Sequence, residues 1–185
     1  MESNGATSTG SVDTGSTTTE SSVTTNGCIV CMPPDWSKTD RASVFLAGSI
    51  DMGKARDWQS EMTAALSQLC VTVFNPRRKD WDNSWEQKAT HPQFKEQVEW
   101  ELQRLEEAHV IALYFEPGSM SPISLLELGL HARSGKLVVC CPEGFYRKGN
   151  VDVTCSRYGV PVLESICEFV TEVKKRVVQS DKFVV

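Results

Sequence analysis

The sequence predicts an α/β protein with a doubly wound parallel sheet of the flavodoxin-like or Rossmann-like type. Short apolar runs typical of buried strands alternate along the chain with stretches whose apolar residues recur at helical spacing. Strands separated by helices of about 10–15 residues pair in parallel through right-handed crossovers, which place helices on both faces of the sheet. We therefore expect a single domain with five strands in the order 2-1-3-4-5.

Five apolar runs define the predicted strands, and apolar spacing between them defines the helices. The strands are predicted at residues 43–48, 71–75, 110–115, 137–141 and 160–163. The helices are predicted at residues 58–69, 94–108, 123–134 and 166–178. In the second helix we expect Leu102 and Leu105 to face the core, with Glu101 near their edge. The polar residues 147–152, after the fourth strand, are interpreted as a loop.

The first 27 residues differ sharply in composition from the rest of the chain. They are rich in Ser and Thr and contain almost nothing apolar, so they bury too little surface to offset the entropy of ordering. We expect a disordered tail at residues 1–27 and a folded domain at residues 28–185. No Lys or Arg precedes Lys38, which fits neither a signal peptide nor a transit peptide, so a cytoplasmic or nucleocytoplasmic location is expected.

The overall charge and the cysteines argue against several classes of function. A net charge of -5 and a pI near 5.3, with no basic stripe, disfavour binding to a nucleic-acid polymer. No apolar run approaches the roughly 20 residues that span a bilayer, so no membrane partner is expected. Seven cysteines without a secretory signal indicate free thiols. Cys28 and Cys31 form a lone CxxC pair without two further ligands, so we expect neither a metal nor a cofactor.

A turn of small residues follows the first predicted strand. Such a turn lets backbone amides approach a phosphate or a sugar, although a plain tight turn explains it equally well. The candidate substrate-binding residues of this turn are Gly48, Ser49, Ile50, Asp51, Gly53 and Lys54. Three further candidates are Asn75 after the second strand, Trp81 in the polar insertion at 77–92, and Asn150 after the fourth strand. An aromatic ring in this insertion either stacks on a base or covers the core.

The stretch from residue 114 to residue 132 carries the most informative carboxylate of the chain. Ser121 followed by Pro122 is a typical helix start, in which the serine caps free amides. The helix after it is apolar on most of its circumference, so we expect it to be buried against the sheet. Glu127 lies within that apolar helix, where an unpartnered charge is costly. It is either a structural glutamate hydrogen-bonded to a loop or a catalytic carboxylate near a strand end.

Three motifs together resemble the nucleoside 2-deoxyribosyltransferase superfamily, which includes deoxynucleoside 5'-monophosphate N-glycosidases and CMP hydrolases. Residues 45–50 (FLAGSI) are similar to its (Y/F)xxGSI loop, and residues 101–108 (ELQRLEEA) resemble its D-L-x-x-L-x-x-A helix. Residues 121–129 resemble its S-x-x-x-x-x-E-L-G signature. The resemblance extends from Val44 to about Leu163. The last motif together with the acidic helix is fairly specific, whereas the GSI loop alone is not.

The resemblance implies an enzyme that cleaves the N-glycosidic bond of a (deoxy)nucleoside or its 5'-monophosphate. It makes Glu127 the nucleophile and places Glu101 near the leaving base, with the sugar passing to water or to another base. It implies that the GSI loop holds the sugar and that Ser121 stands where the nucleotidases touch the phosphate. A neighbouring subunit closes the pocket in this superfamily, so we expect a homodimer or larger homo-oligomer, with residues 147–152 as a candidate contribution.

The chain departs from the family pattern at two positions. The family often has a tyrosine near the first-loop glycine, where its hydroxyl steadies the nucleophile; here the residue is Phe45. The leading acid of the helix motif is Glu101 rather than aspartate. The chemistry requires Glu127 to be ionised, which its leucine neighbours oppose and which the hydroxyls of Ser49 or Ser124 are expected to favour.

Three classes of function stay open on the sequence. The first is the N-glycosidase or deoxyribosyltransferase implied above, and Ser121, where the transferases carry an aspartate, favours 5'-monophosphates within that class. The second is a binding module that keeps a nucleotide-shaped pocket without turnover, which Phe45 supports. The third is a flavodoxin-like scaffold with an unrelated partner.

Overall fold

The computed structural model of the chain describes residues 27–50, 56–78, 81–82 and 84–181. The strands are β1 Ile29–Cys31, β2 Ala42–Gly48, β3 Val71–Phe74, β4 Val110–Tyr114, β5 Leu137–Cys140 and β6 Val162–Leu163. The helices are α1 Trp58–Leu66, α2 Pro92–Glu107, α3 Pro122–His131, α4 Lys148–Tyr158 and α5 Ile166–Asp181. The predicted disordered tail lies outside the described residues, apart from Gly27.

The described strands form one parallel sheet in the order β1-β3-β2-β4-β5-β6. The α/β class and the flavodoxin-like fold are confirmed, and the five predicted strands stand in the predicted order 2-1-3-4-5. The sheet has six strands rather than five because β1 pairs with β3 at the edge. The run IVC that forms β1 is only three residues long. It also lies within the CxxC pair of Cys28 and Cys31, so its strand character is easily missed.

One helix, α4, stands where a loop is predicted. Residues 148–158 are helical, including most of the stretch 147–152 that the sequence suggests to be a polar loop. The helix buries only Val151 and Cys155. Two buried positions in three turns give too weak an apolar stripe for recognition from sequence.

Two apolar cores fill the space between the sheet and its helices. One lies under α2, α3 and α4 and includes Phe45, Trp100 and Phe115. The other lies under α1 and α5 and includes Leu46, Trp58 and Tyr114. Neighbouring residues of β2 and β4 therefore point to opposite cores, as side chains alternate along a strand. Because both faces are covered, the central strands are buried along their length and read as continuous apolar runs.

The buried stripe of α2 differs from the predicted one. Leu102 is 44% exposed, whereas the buried residues of the helix are Gln97, Trp100, Arg104 and Leu105. The Arg104 guanidinium lies in the core because it donates to the carbonyl oxygens of Asp35 (2.9 Å) and Ser37 (3.0 Å). These bonds fix the segment after β1 against α2. Because the buried face of α2 includes polar residues, the positions of its apolar residues alone do not show which face is buried.

Helix α3 is less buried than its composition predicts. Its buried residues are Ser124, Glu127 and Leu128. The expectation of burial around most of the helix is wrong, because only the stripe facing β2 and β4 is covered. The opposite stripe leaves Ile123 at 59%, Leu126 at 58% and Leu130 at 57% exposure. The outer side of α3 is therefore an apolar surface.

Gly48 at the end of β2 brings two strands into close approach. Its φ is +134°, a conformation that L side chains rarely adopt. A Cβ atom at this position would overlap with the backbone carbonyl oxygen of Tyr114 on β4. With glycine in place, the amide of Ser49 donates to that carbonyl oxygen at 2.9 Å. The first loop thus leaves the sheet directly beside the end of β4.

Candidate active site

The candidate site lies at the carboxyl ends of β2 and β4, where the chain order reverses. From β2 the chain crosses to β3 on one side, and from β3 it returns past β2 to β4 on the other. The helix after β2 and the helix after β4 pack on opposite faces of the sheet, and ligand sites of open α/β sheets typically lie at such a reversal. Gly48 and Tyr114 are paired in register there.

Two carboxylates from different helices meet in this region. Glu127 is on the inner stripe of α3 and is only 8% exposed. Glu101 is half-buried on α2, and its charge acts on Glu127. The Nε2 atom of Gln97, one turn earlier on α2, donates to Glu101 Oε1 at 2.7 Å. The structure thus brings together the two glutamates that the sequence analysis selects as catalytic.

Burial raises the pKa of both carboxyl groups. Burial first, and then the charge of Glu101, raise the pKa of Glu127 to about 8. Burial raises the pKa of Glu101 to about 6, against the hydrogen bond from Gln97, which lowers it. Each carboxyl group therefore keeps its proton to a higher pH than an exposed glutamate does, Glu127 more so than Glu101. Catalysis requires an ionised nucleophile and a protonated donor.

Three serine hydroxyls form a cluster just beyond the carboxyl ends of β2 and β4. Ser49 and Ser121 share a short hydrogen bond, and Ser119 Oγ lies 3.1 Å from Ser49 Oγ and 2.8 Å from Ser121 Oγ. The amide of Glu116 donates to Ser49 Oγ at 2.9 Å. The cluster ties the first loop to the turn before α3. Two of the predicted binding residues, Ser49 and Ser121, are therefore in direct contact.

Ser121 occupies the predicted cap position of α3 but does not cap the helix with its side chain. Its backbone is left-handed, with φ 39° and ψ 53°, and its hydroxyl makes no capping bond. The expected capping role is therefore wrong, because the hydroxyl bonds to Ser49 and Ser119 instead. The first turn of α3 is left without a side-chain cap.

The expected hydroxyl support for Glu127 is not found among the described residues. Ser49 is engaged by the serine cluster, and neither Ser49 nor Ser124 donates to Glu127 in the described part of the chain. Phe45, at the family's tyrosine position, is fully buried and packs on Trp100 with ring centroids 6.2 Å apart. Tyr114 does not replace the missing hydroxyl, because its ring lies in the opposite core against Trp58, 5.5 Å away.

The other predicted binding residues are distributed around the same edge of the sheet. Asp51, Gly53 and Lys54 lie outside the described residues. Gly48 and Ile50 flank Ser49 in the first loop, and Asn75 follows β3, where its Oδ1 accepts from the amide of Arg77 at 3.0 Å. Trp81 packs edge-on against Trp85, with centroids 5.2 Å apart, and stays 36% exposed. Asn150 is exposed in the first turn of α4 rather than in a loop.

Two polar residues of this region escape the sequence analysis. Gln97 is 4% exposed and bonds to Glu101, yet its Oε1 atom has no partner among the described residues. Glu116 follows β4, and its buried Oε2 atom likewise has no partner in that part of the chain. The signal for Gln97 was its place four residues before Glu101 on one helix face. For Glu116 it was a charged residue directly after a buried strand.

Several other features are absent from the described part of the chain. No group of His, Cys, Asp and Glu side chains there is arranged to hold a metal ion. The seven cysteines, all of which are described, are free thiols. No helix of the described residues combines the length and the apolar character needed to cross a membrane.

The chain belongs to the nucleoside 2-deoxyribosyltransferase-like family, whose model matches residues 41–145. The match spans the first loop, α2, the serine cluster and both glutamates. Membership in this family supports glycosyl transfer or cleavage of nucleosides in general. A search of curated proteins finds no significant match to the chain.

A solved structure supports the fold independently. A conserved protein from Enterococcus faecalis V583 superposes with a TM-score of 0.52 at 12% sequence identity. The superposition covers 74% of this chain and 99% of that protein. At this identity the likeness shows a shared fold alone.

The raised pKa of Glu127 predicts how stability depends on pH. The folded protein retains the Glu127 proton up to about pH 8, whereas the unfolded chain releases it near the ordinary value of 4.5. Stability is therefore lost as pH rises between these values, since the unfolded state binds fewer protons. We expect Glu127→Gln to be more stable relative to the wild type at pH 8.5 than at pH 5, measured from urea unfolding midpoints.

A matched control for this measurement lies on α2. Glu99 is an exposed carboxylate whose ion pair with Lys95 spans 3.3 Å. Glu99→Gln should leave the pH dependence of stability nearly unchanged, because an exposed pair contributes little. If the stability difference between Glu127→Gln and the wild type stayed constant from pH 5 to pH 8.5, the pKa of Glu127 would not be raised by burial.

Proposed function

We propose that the protein cleaves the N-glycosidic bond of a (deoxy)nucleoside or its 5'-monophosphate, with Glu127 as nucleophile. A Glu127 oxygen attacks the anomeric carbon, the bond from that carbon to the base nitrogen breaks, and the base leaves with its electron pair. Glu101 gives its proton to the departing base. Water or a second base then attacks the anomeric carbon and releases Glu127, and Glu101 recovers a proton from the attacking group.

The single observation that carries this proposal is that Glu127 on α3 and Glu101 on α2 lie close enough for their charges to interact, in surroundings that raise the pKa of both. In the free protein the more strongly raised pKa of Glu127 favours a proton on that carboxyl group. The reaction needs it on Glu101. Positive charge developing on the sugar ring favours an ionised Glu127. The nitrogen of the leaving base becomes more basic and accepts the proton of Glu101. Substrate binding and bond cleavage thus move the proton in the required direction.

An alternative follows from Phe45. Without a hydroxyl donor from the described residues, the Glu127 carboxylate is stabilised less than in a site with the family's tyrosine. The chain would then be a catalytically weak nucleotide-binding module with the same pocket. Binding of a nucleotide without release of free base, measured by calorimetry and HPLC on the same sample, would favour this alternative.

The decisive test is the release of free base by HPLC from a panel of nucleosides and nucleotides. We expect Glu127→Ala to lower the rate by several orders of magnitude, because the covalent catalyst is lost. Glu101→Gln should cost less, and most for bases that are poor leaving groups. The exposed Glu99 gives the matched control, since Glu99→Gln changes a carboxylate on the same helix outside the pair.

This test has a clear negative outcome. Glu127→Ala retaining more than about a tenth of the wild-type rate would rule out its role as nucleophile. Circular dichroism of each variant, together with an inactive preparation from the same host, separates loss of catalysis from loss of folding and from contaminating enzymes.

The serine cluster bears on the 5' end of the substrate. Ser121 is at the start of α3, the positive end of the helix dipole, and its side chain leaves the first turn uncapped. Free amides at a helix start suit an anion. Ser49 and Ser121 place hydroxyl groups at the same spot. These features support a preference for nucleoside 5'-monophosphates over nucleosides.

We expect a monophosphate to be used about tenfold or more better than its nucleoside in kcat/KM, since one charge-assisted contact contributes about 1.5–3 kcal/mol. Ser121→Asp should abolish this preference by repelling the phosphate. Ser121→Asn is the control: both substituents tolerate a left-handed backbone, and only aspartate adds charge. If the wild type used the monophosphate and its nucleoside at equal rates, the preference for monophosphates would be wrong. The protein would then be interpreted as an enzyme that acts on nucleosides.

The apolar outer stripe of α3 supports a homodimer. Ile123, Leu126 and Leu130 expose more than half of their surface on the helix that carries Glu127. A second copy that covers this stripe would bury it and bring further residues to the pocket, with the first turn of α4 as a candidate contribution.

We expect a dimer by light scattering at micromolar concentration, and Leu126→Glu should dissociate it. Val178→Glu, at a 48% exposed apolar site on α5, should not. A fully active wild-type monomer would exclude this assembly.

A further inference from the structure

Gln97 has a buried side-chain amide whose two N–H hydrogens are donated to two different acceptors. It is 4% exposed on the inner stripe of α2. Its Nε2 donates one hydrogen to the carbonyl oxygen of Pro76 at 3.0 Å and the other to Glu101 Oε1 at 2.7 Å. Its own Oε1 atom is buried and accepts no hydrogen bond from the described residues, which is a costly arrangement for a buried acceptor.

Pro76 determines which way the Gln97 amide points. The carbonyl oxygen of Pro76 can only accept, and it does so at every pH. A flipped amide would set Gln97 Oε1 against this carbonyl oxygen and, at neutral pH, against an ionised carboxylate. Both contacts would be repulsive. The Nε2 group is therefore held toward Glu101 whether or not Glu101 carries a proton.

We propose that Gln97 is a positioning residue that directs the proton of Glu101 to Oε2, the oxygen that Gln97 does not contact, and from there to the leaving base. A hydroxyl oxygen is a weaker acceptor than a carbonyl oxygen, so the N–H that Gln97 aims at Oε1 favours an unprotonated Oε1. The protonated carboxyl therefore carries its hydrogen on the other oxygen. This inference rests on the proposed function for the part that concerns the leaving base, and on the hydrogen-bond geometry alone for the placement of the proton.

The same contact keeps Glu101 able to exchange its proton near neutral pH. Burial raises its pKa, and the Gln97 hydrogen bond counteracts this by stabilising the ionised form. The charged group that faces it from α3 is Glu127, whose own pKa the Glu101 carboxylate raises. From the loop after β3 the partner is the neutral Pro76 carbonyl. Gln97 thus sets the balance of the shared proton between the two glutamates.

The test compares two glutamines on the same helix. Gln97→Met keeps the shape of the side chain and removes the donor. Gln103 donates to Glu107 Oε1 at the same distance, 2.7 Å, and with the same spacing of four residues, but at an exposed position. Gln103→Met therefore removes an equivalent bond away from the site. The side-chain carboxyl of Glu101 is titrated by ¹³C NMR in both variants and in the full wild-type chain.

We expect Gln97→Met to raise the pKa of Glu101 by about one to two units, and Gln103→Met to leave it unchanged. In the profile of base release against pH, the limb governed by Glu101 should shift by the same amount. The limiting kcat, corrected for ionisation, should fall at least about twofold with KM unchanged, because the proton then divides between two oxygens. If Gln97→Met fails to fold, Gln97→Asn, which withdraws the donor by one methylene, is titrated in its place.

The outcomes separate this inference from the proposed function. A Glu101 pKa that does not move when the Gln97 donor is removed overturns the inference, whatever the enzyme turns over. If the pKa of Glu101 shifts but the protein releases no base from any substrate, the role of Gln97 in placing the proton is upheld. The catalytic assignment of the site is then wrong. A shifted titration with an unchanged limiting kcat overturns the placement on Oε2.

Discussion

The close approach of β2 to β4 at Gly48 is the constraint on which the site depends. Because a Cβ atom cannot fit against the backbone of Tyr114, only glycine lets the chain turn here. The Ser49 amide then reaches the Tyr114 carbonyl oxygen, and the Ser49 hydroxyl accepts from the amide of Glu116. Through the serine cluster the same turn fixes Ser121 and hence the start of α3. The start of the helix that carries Glu127 is thus tied to a backbone contact between the neighbouring strands β2 and β4.

The fold was largely predictable because its central strands are buried on both faces. Such strands appear as unbroken apolar runs, and the alternation with helices determines their parallel order. Prediction was weaker at the edges of the molecule. Strand β1 has only three residues, and α4 has only two buried positions. On α2, Arg104 occupies the core by bonding to backbone carbonyls, so the polarity of a residue is a poor guide to its burial there.

The two glutamates were predictable from the sequence, whereas their surroundings were not. A carboxylate such as Glu127 inside an apolar helix is conspicuous in a linear sequence. The hydrogen-bond partners of a site come from distant segments, and no local pattern records them. Ser121 illustrates the difference: its position before α3 follows from the proline after it, but its hydroxyl bonds to a residue 72 positions earlier in the chain. For Gln97 the spacing of four residues to Glu101 is visible in the sequence, but its second partner, the carbonyl oxygen of Pro76, is not.

The parallel edge strand β1 also determines where the chain enters the fold. Parallel strands share one direction, so the amino end of β1, next to Gly27, lies on the opposite edge of the sheet from Gly48 and the serine cluster. A fluorophore or an affinity handle attached at Gly27 would therefore begin at the edge of the sheet opposite the serine cluster, away from the residues proposed to contact the substrate.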